Sequence, residues 1–546
     1  MTSNLLSLNS VCAIFSGNNS MTKRNLIGIL ILPVYFMITI SIGWLSRRRE
    51  STANSYLNAT RSLPVLVIAT AYLAANCGAL EIVGLSAMAS QYGVQAFHFY
   101  WIGAIPAMVF LALFMMPLYR RNSVRSVPEY LEVRYGPGMR LFNACISALT
   151  AFFLAGISLY AMAQVLIVVS GVRFLAGVVL SAVVVLIYVL LGGLRATIYN
   201  EVFQLLIMVL GLAPLAWRCF HTAWQIHLQS PDATSRLWTA LPLASRSAPF
   251  DVAGISLGLG VVLSFGYWCT DFVLMQRAFA VRTEAEARAV PLLAGFGKLA
   301  FSFLVVVPGI AAMRLVPPLA LAHHHDQALP LLMELSYGPI LLGLGLTALV
   351  ASLMSGLAAN ISAVAALWTE DIYRSHINAH DTEAHYMRVA RMAIVASATL
   401  SCLVSYTTFL FSNLMENVQL LFALFGSPFW AVFLLGMTTT RVKSRTAIIG
   451  FLSGITAGVC HLLVQAAGWV HYGSVMSSNF HAAGYSFTTT MITSLLLSCG
   501  QDASVGDPAC IDLRHPPFRL ERRDLPVLVL STALLLCCLG LNILWR

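Results

Sequence analysis

Residues 74–81 read Ala74-Ala75-Asn76-Cys77-Gly78-Ala79-Leu80-Glu81. An amide, a glycine and a carboxylate stand together inside an apolar run that extends from 64 to 89. A bilayer core of about 30 Å is crossed by roughly 20 helical residues, so this run is long enough to span one. A carboxylate facing lipid is strongly disfavoured unless it is paired or hydrated, which makes Glu81 a site candidate. Gly78 and Gly84 weaken the helix around it. One reading is an unwound segment whose free carbonyls and side chains line a cavity. The plainer reading is close helix packing at glycine, with Asn76 and Glu81 bonded to neighbours.

The rest of the chain supports the membrane setting. It has 546 residues, of which 58% are hydrophobic and 10% charged. A soluble domain carries about 25% charged residues, so soluble enzymes, DNA-binding proteins and disordered chains are excluded. The net charge of +10 lies in short basic clusters between apolar runs, such as Arg47-Arg48-Arg49 and Arg120-Arg121. That distribution implies a lipid bilayer as partner and no nucleic acid. The 11 Cys are scattered, without CxxC or Cys/His zinc spacing. No Walker sequence is present, so uphill transport must draw on an ion gradient.

Applied along the chain, the length test predicts an all-α polytopic membrane protein of about fourteen transmembrane helices. They lie near 25–46, 64–89, 97–119, 141–169, 173–193, 197–217, 251–276, 290–315, 338–369, 390–408, 415–437, 446–468, 480–499 and 525–545. Residues 1–24 are expected to be a disordered N-terminal extension, with Met21 as an alternative start. Most of the 32 Lys and Arg fall in the connections after odd-numbered spans. The positive-inside rule then predicts a multi-pass cell-membrane protein with both termini non-cytoplasmic.

Other polar groups interrupt these spans. The seventh holds Gly266-Tyr267-Trp268-Cys269-Thr270-Asp271, followed by Gln276-Arg277. Tyr267 and Trp268 form either a ligand-stacking surface or an interfacial aromatic belt. Asp271 and Arg277 are candidates for an inner-side ion pair instead of a binding site. Lys298 lies within the eighth span and requires a partner, with Asp271, Glu201 and Glu81 available. Ser352 and Ser355 in the ninth span share a helix face. Their hydroxyls suit an alkali cation, although small residues at this spacing also serve helix packing. Three adjacent histidines, His323-His324-His325, precede Asp326 on a loop and do not make a convincing metal site.

In order and spacing these residues resemble the sodium:solute symporter family, which includes the sodium/glucose cotransporters. The matching landmarks are Val127-Pro128-Glu129-Tyr130-Leu131, Gly192-Gly193-Leu194-Arg195-Ala196 with Glu201 and Gln204, Thr270-Asp271 with Gln276-Arg277, Ala351–Ser355, Asp371-Ile372-Tyr373 and Phe433–Gly436. The resemblance runs from about residue 25 to about 466. It implies a LeuT-like core, 64–437, of two five-helix inverted repeats, 64–217 and 251–437. A peripheral helix at 25–46 and further helices at 446–545 flank it.

The resemblance also implies a function, a cation-coupled secondary symporter that imports a small polar organic solute. A proton-coupled transporter, or a solute sensor or channel on the same fold, is the alternative, and no enzymatic activity is expected. It assigns a sodium ion to the carbonyls of Ala74, Cys77 and Ser352 and the hydroxyl of Ser355. Glu201 falls at an acidic position near the ion pathway. Asn76, Tyr267, Trp268, Lys298 and Gln419 match residues that line the cavity of the sugar-transporting members. Two positions depart. Glu81 stands where those members carry histidine, which turns a hydrogen-bond donor into an acceptor and opens a role in binding a cation, an ammonium or a proton. Gly356 stands where the family often has a second hydroxyl, which removes one oxygen ligand and leaves a proton as the alternative coupling ion.

Overall fold

In the computed structural model the described residues are 19–46, 63–78, 80–122, 124, 126–170, 172–229, 237–238, 241–245, 248–317, 325–410, 414–499 and 524–546. All secondary structure among them is helical. Of the expected extension, residues 1–18 lie outside the described set, and Asn19 begins the first helix, α1 (Asn19–Ser46).

Among the described residues ten helices are long and apolar enough to cross a membrane, or eleven when one bent pair counts as a span. Each of the fourteen expected positions is helical, but three of the helices miss that criterion. α2 (Val65–Asn76) is too short, and α1, itself 28 residues long, contributes the shorter apolar segment Ile31–Ser46. The third, Val475–Leu497, is long enough but polar on its packed face, where Ser478, Ser486, Thr490 and Ser494 are buried. Its neighbour Ser444–Ala466 presents Gly450, Gly454 and Gly458 to those side chains. Small residues at a spacing of four let two helix backbones approach closely.

Two spans are broken. After α2 the chain leaves the helix at Cys77 and resumes through a π-helical turn, Leu80–Gly84, into α3 (Leu85–Tyr92). The second break separates α4 (Ser264–Thr270) from α5 (Phe272–Ala278), with a bend of 52° at Asp271. Elsewhere, two expected spans, near 173–193 and 197–217, fall within one helical stretch, Phe174–Gln229, divided at Gly193. Its φ of 56° is in the left-handed region that glycine tolerates without strain.

One helix runs through the middle. α6 (Pro339–Ala366) is buried at every residue from Thr347 to Ala363. It packs against α1, against Pro137–Ser170 and against Phe174–Gln229. The periphery is the reverse of a soluble protein, with Trp217, Met392, Leu496 and Leu536 exposed. Backbone polar groups must be satisfied within helices where lipid replaces water. The breaks are therefore tolerated only where protein surrounds them, and both lie beside α6.

Candidate functional site

The break after α2 frees backbone carbonyls, and α6 supplies hydroxyls to meet them. Ser355 Oγ donates to the Ala74 carbonyl at 3.1 Å, and Ser352 Oγ donates to the Cys77 carbonyl at 3.1 Å. Both serines and both carbonyl residues are fully buried. All four residues named for sodium thus meet at one junction. The donor set is entirely oxygen, the type that hard cations prefer. The Ser352 hydroxyl was not among the expected ligands, yet it sits on one of them.

The junction is tight. A Cβ built on Gly78 would lie 3.2 Å from the Cα of Gly356 and 3.7 Å from the carbonyl oxygen of Ser352. Glycine at 78 therefore lets the broken strand of backbone reach α6. The close approach also gives a packing reason for the small residue at 356.

Beside this junction lies a cavity lined by Asn76, Glu81, Tyr267, Trp268, Lys298 and Gln419. The six residues come from five helical segments. Lys298 belongs to α7 (Glu284–Leu315) and is 2% exposed. Its ammonium donates to Glu81 Oε1 and Asn76 Oδ1. It also lies 4.5 Å from the ring centre of Tyr100 and 5.4 Å from that of Trp268, so aromatic faces share in holding the charge. Of the three carboxylates open to it, Lys298 takes Glu81. Asn76 Nδ2 donates in turn to the Tyr267 hydroxyl at 2.8 Å, which links the two broken spans. Trp268 directs its N–H to the Gly103 carbonyl at 3.0 Å, so the indole offers a face to the cavity rather than a donor. Gln419 comes from α8 (Leu414–Leu421), and its Oε1 is buried without a protein partner.

The expected Asp271–Arg277 pair does not form. Asp271 Oδ1 accepts from the backbone N–H of Leu274 at 3.0 Å and caps α5 across the bend. Arg277, a turn and a half further on, donates to both oxygens of Glu201 at 2.6 and 3.3 Å, with both side chains fully buried. Glu201 is therefore engaged by Arg277 through both of its oxygens. Asp271 instead lines the cavity.

Two residues around the site escaped the sequence reading. Tyr100 lies behind the cavity wall, under the Lys298 ammonium, where no spacing rule points. Asn360 lines the cavity one turn beyond Gly356. As the sole amide in α6 it carried a usable signal. Of the loop histidines, His323 and His324 fall outside the described residues, and His325 Nδ1 is 3.0 Å from Ser90 Oγ. Among the described residues no group of His, Cys, Asp and Glu could hold a metal ion.

The landmark motifs meet as well. Ser126 caps the helix Val127–Tyr135 and donates to Asp371 at 3.1 Å, and Arg140 donates to the same oxygen at 2.9 Å. The model of the sodium:solute symporter family matches residues 56–454. The chain belongs to the sodium:solute symporter family. Among its relatives is the sodium/glucose cotransporter of Vibrio parahaemolyticus, 26% identical over 464 residues that cover 79% of this chain and 84% of that protein. The human sodium/myo-inositol cotransporter is 27% identical over 489 residues, covering 80% and 67%. A solved Na+-coupled sialic acid symporter in an outward-open state shares the fold with a TM-score of 0.74 at 18% identity, covering 88% of this symporter and 98% of that chain.

Proposed function

We propose that this protein is a sodium-coupled symporter that imports a small polar organic solute by alternating access. The observation that carries the reading is the junction of α2 with α6. There two carbonyls released by a helix break face two hydroxyls, next to a polar cavity built on the same break. Sodium binds as cargo among the carbonyls of Ala74, Cys77 and Ser352 and the hydroxyl of Ser355. The Ser352 hydroxyl, already on the Cys77 carbonyl, replaces the oxygen that Gly356 does not supply. A cation there ties the broken span to α6 and favours the conformation in which they touch. The solute binds in the adjoining cavity among Asn76, Glu81, Tyr267, Trp268, Lys298 and Gln419. Coupling follows because ion and solute stabilise the same state, and the effect on affinity is reciprocal.

The two repeats, 64–217 and 251–437, then rock against each other around this site. The helices at 25–46 and 446–545 lie outside the moving core. The excess of basic residues after odd-numbered spans supports non-cytoplasmic termini.

The test is uptake by purified protein in proteoliposomes, with sodium and proton gradients imposed separately. The sodium gradient alone is expected to drive accumulation. Accumulation driven by the proton gradient alone would establish the rival coupling, and solute-independent conductance would establish a channel.

A further inference from the structure

Asn360 is 8% exposed and lines the cavity together with Lys298, Glu81 and Gln419. Its Nδ2 donates to the carbonyl of Gly356 at 2.8 Å. A carbonyl offers only lone pairs, so the amide cannot be turned over without losing that bond. Oδ1 is thereby held on the other side, where it is buried with no protein partner. Gln419 Oε1, from a different helix, is likewise buried and unpartnered in the same cavity. Buried acceptors of this kind are costly unless a donor meets them.

Most of the donor side of the cavity is already used, with one Lys298 N–H and the Tyr267 O–H hydrogen left over. Lys298 is the one cationic side chain among the described residues that line it, and two of its N–H groups go to Glu81 and Asn76. The Trp268 N–H is spent on Gly103. Asp271 adds a carboxylate to the lining, with one oxygen on Leu274. Pairing within the cavity leaves amide oxygens and one carboxylate charge over, and no uncompensated cation.

We propose that Asn360 contacts the transported solute, with Oδ1 accepting a hydrogen bond from it, and that the cavity therefore takes a non-anionic solute rich in O–H or N–H donors. This rests on the symporter reading above. A carboxylate solute would face Glu81, Asp271 and two amide oxygens, and like charge in a desolvated site is strongly disfavoured. A neutral polyol and a protonated amine both meet the acceptor set, and matched probes separate them.

The experiment is sodium-driven uptake of D-glucose, myo-inositol, D-glucosamine, D-glucuronate and sialic acid by proteoliposomes of the wild type and of Asn360→Ala. One of the first three is expected to be taken up, and neither acid. Asn360→Ala should raise its KM about tenfold, the effect of one neutral hydrogen bond, and leave half-saturating sodium, measured at saturating solute for each variant, unchanged. Among deoxy or deamino analogues of that solute, one should show the same loss in the wild type and no further loss in Asn360→Ala. Such non-additivity would not follow from a packing role. Preferred uptake of either acid, uptake of none of the five, a wild-type KM in Asn360→Ala, or a joint rise in KM and half-saturating sodium overturns the proposal. Uptake that ignores the sodium gradient instead overturns the coupling reading and leaves the charge selection standing.

Discussion

Ser355 donates its hydroxyl hydrogen to the carbonyl of Ala74 across the break in the first of two interrupted spans. The contact joins α2 to α6, which is buried from Thr347 to Ala363, and one hydroxyl links helix geometry to ion binding. Ser355→Ala is expected to raise the sodium concentration for half-maximal uptake by about tenfold or more, since a hard cation loses an oxygen ligand. KM for the solute at saturating sodium should stay within about twofold. The readout is uptake against sodium concentration, and an unchanged sodium curve would move the ion elsewhere.

Glu81 and Lys298 are a buried pair on the cavity wall. Removing one charge strands the other, which typically costs about 3–5 kcal/mol. Glu81→Gln is therefore expected to lower thermal stability and abolish uptake. The double variant Glu81→Gln with Lys298→Met should recover most of the stability and none of the transport. Thermal melts of detergent-purified protein and uptake assays measure the two effects separately. Recovery of transport in the double variant would show that the pair is only structural.

Arg277 and Glu201 pose the opposite expectation. Their pair is fully buried, and the Glu201 oxygens take Arg277 rather than the hydroxyls of Ser352 and Ser355. Glu201→Gln should lower the melting temperature by several degrees, through the same stranded-charge cost. Half-saturating sodium should remain within about twofold of the wild type. A tenfold rise would return Glu201 to the ion pathway that its family position suggests.

Asp326 lies on a loop helix, His325–Gln327, and accepts from the Leu414 N–H at 3.5 Å. Burial, reinforced by the nearby Glu416 carboxylate, pushes its carboxyl up to about 7. The folded protein then holds a proton that the unfolded chain has released, so stability is fully present below about pH 4. It falls as pH rises toward 7 and is lowest above that. Asp326→Asn should flatten this part of the profile and raise the melting temperature at pH 8. A wild-type profile in Asp326→Asn would assign the pH dependence to other groups.

Much of this was legible in the chain. The apolar runs located helices at all the expected positions, because the 30 Å requirement leaves a strong imprint on sequence. Gly78 and the neighbouring Asn76 and Glu81 revealed the first break, since glycine and a carboxylate in one span have few structural uses. Of the proposed ion ligands, Ser352 and Ser355 were visible as hydroxyls on one helix face, but the carbonyls of Ala74 and Cys77 were legible only through the family pattern, because backbone carbonyls carry no residue signature. Pairing was the weak point. Asp271 and Arg277 are six residues apart, and sequence proximity suggested a pair. The bend at Asp271 turns its oxygen to the next helix, and Arg277 finds Glu201, 76 positions earlier. Such a choice depends on tertiary placement that spacing does not encode. Tyr100 escaped for the same reason. Val475–Leu497 is a case where apolar content underreports a packed helix, because small polar residues face its partner.

In the proposed cycle one cation and one solute share this site and favour the same state. Entry of radiolabelled sodium into proteoliposomes, with and without the solute identified by the uptake panel, measures that coupling. External solute should accelerate sodium entry, external sodium should accelerate solute entry, and Ser355→Ala should weaken both. Sodium entry that ignores the solute, or solute entry that ignores sodium, would contradict that cycle.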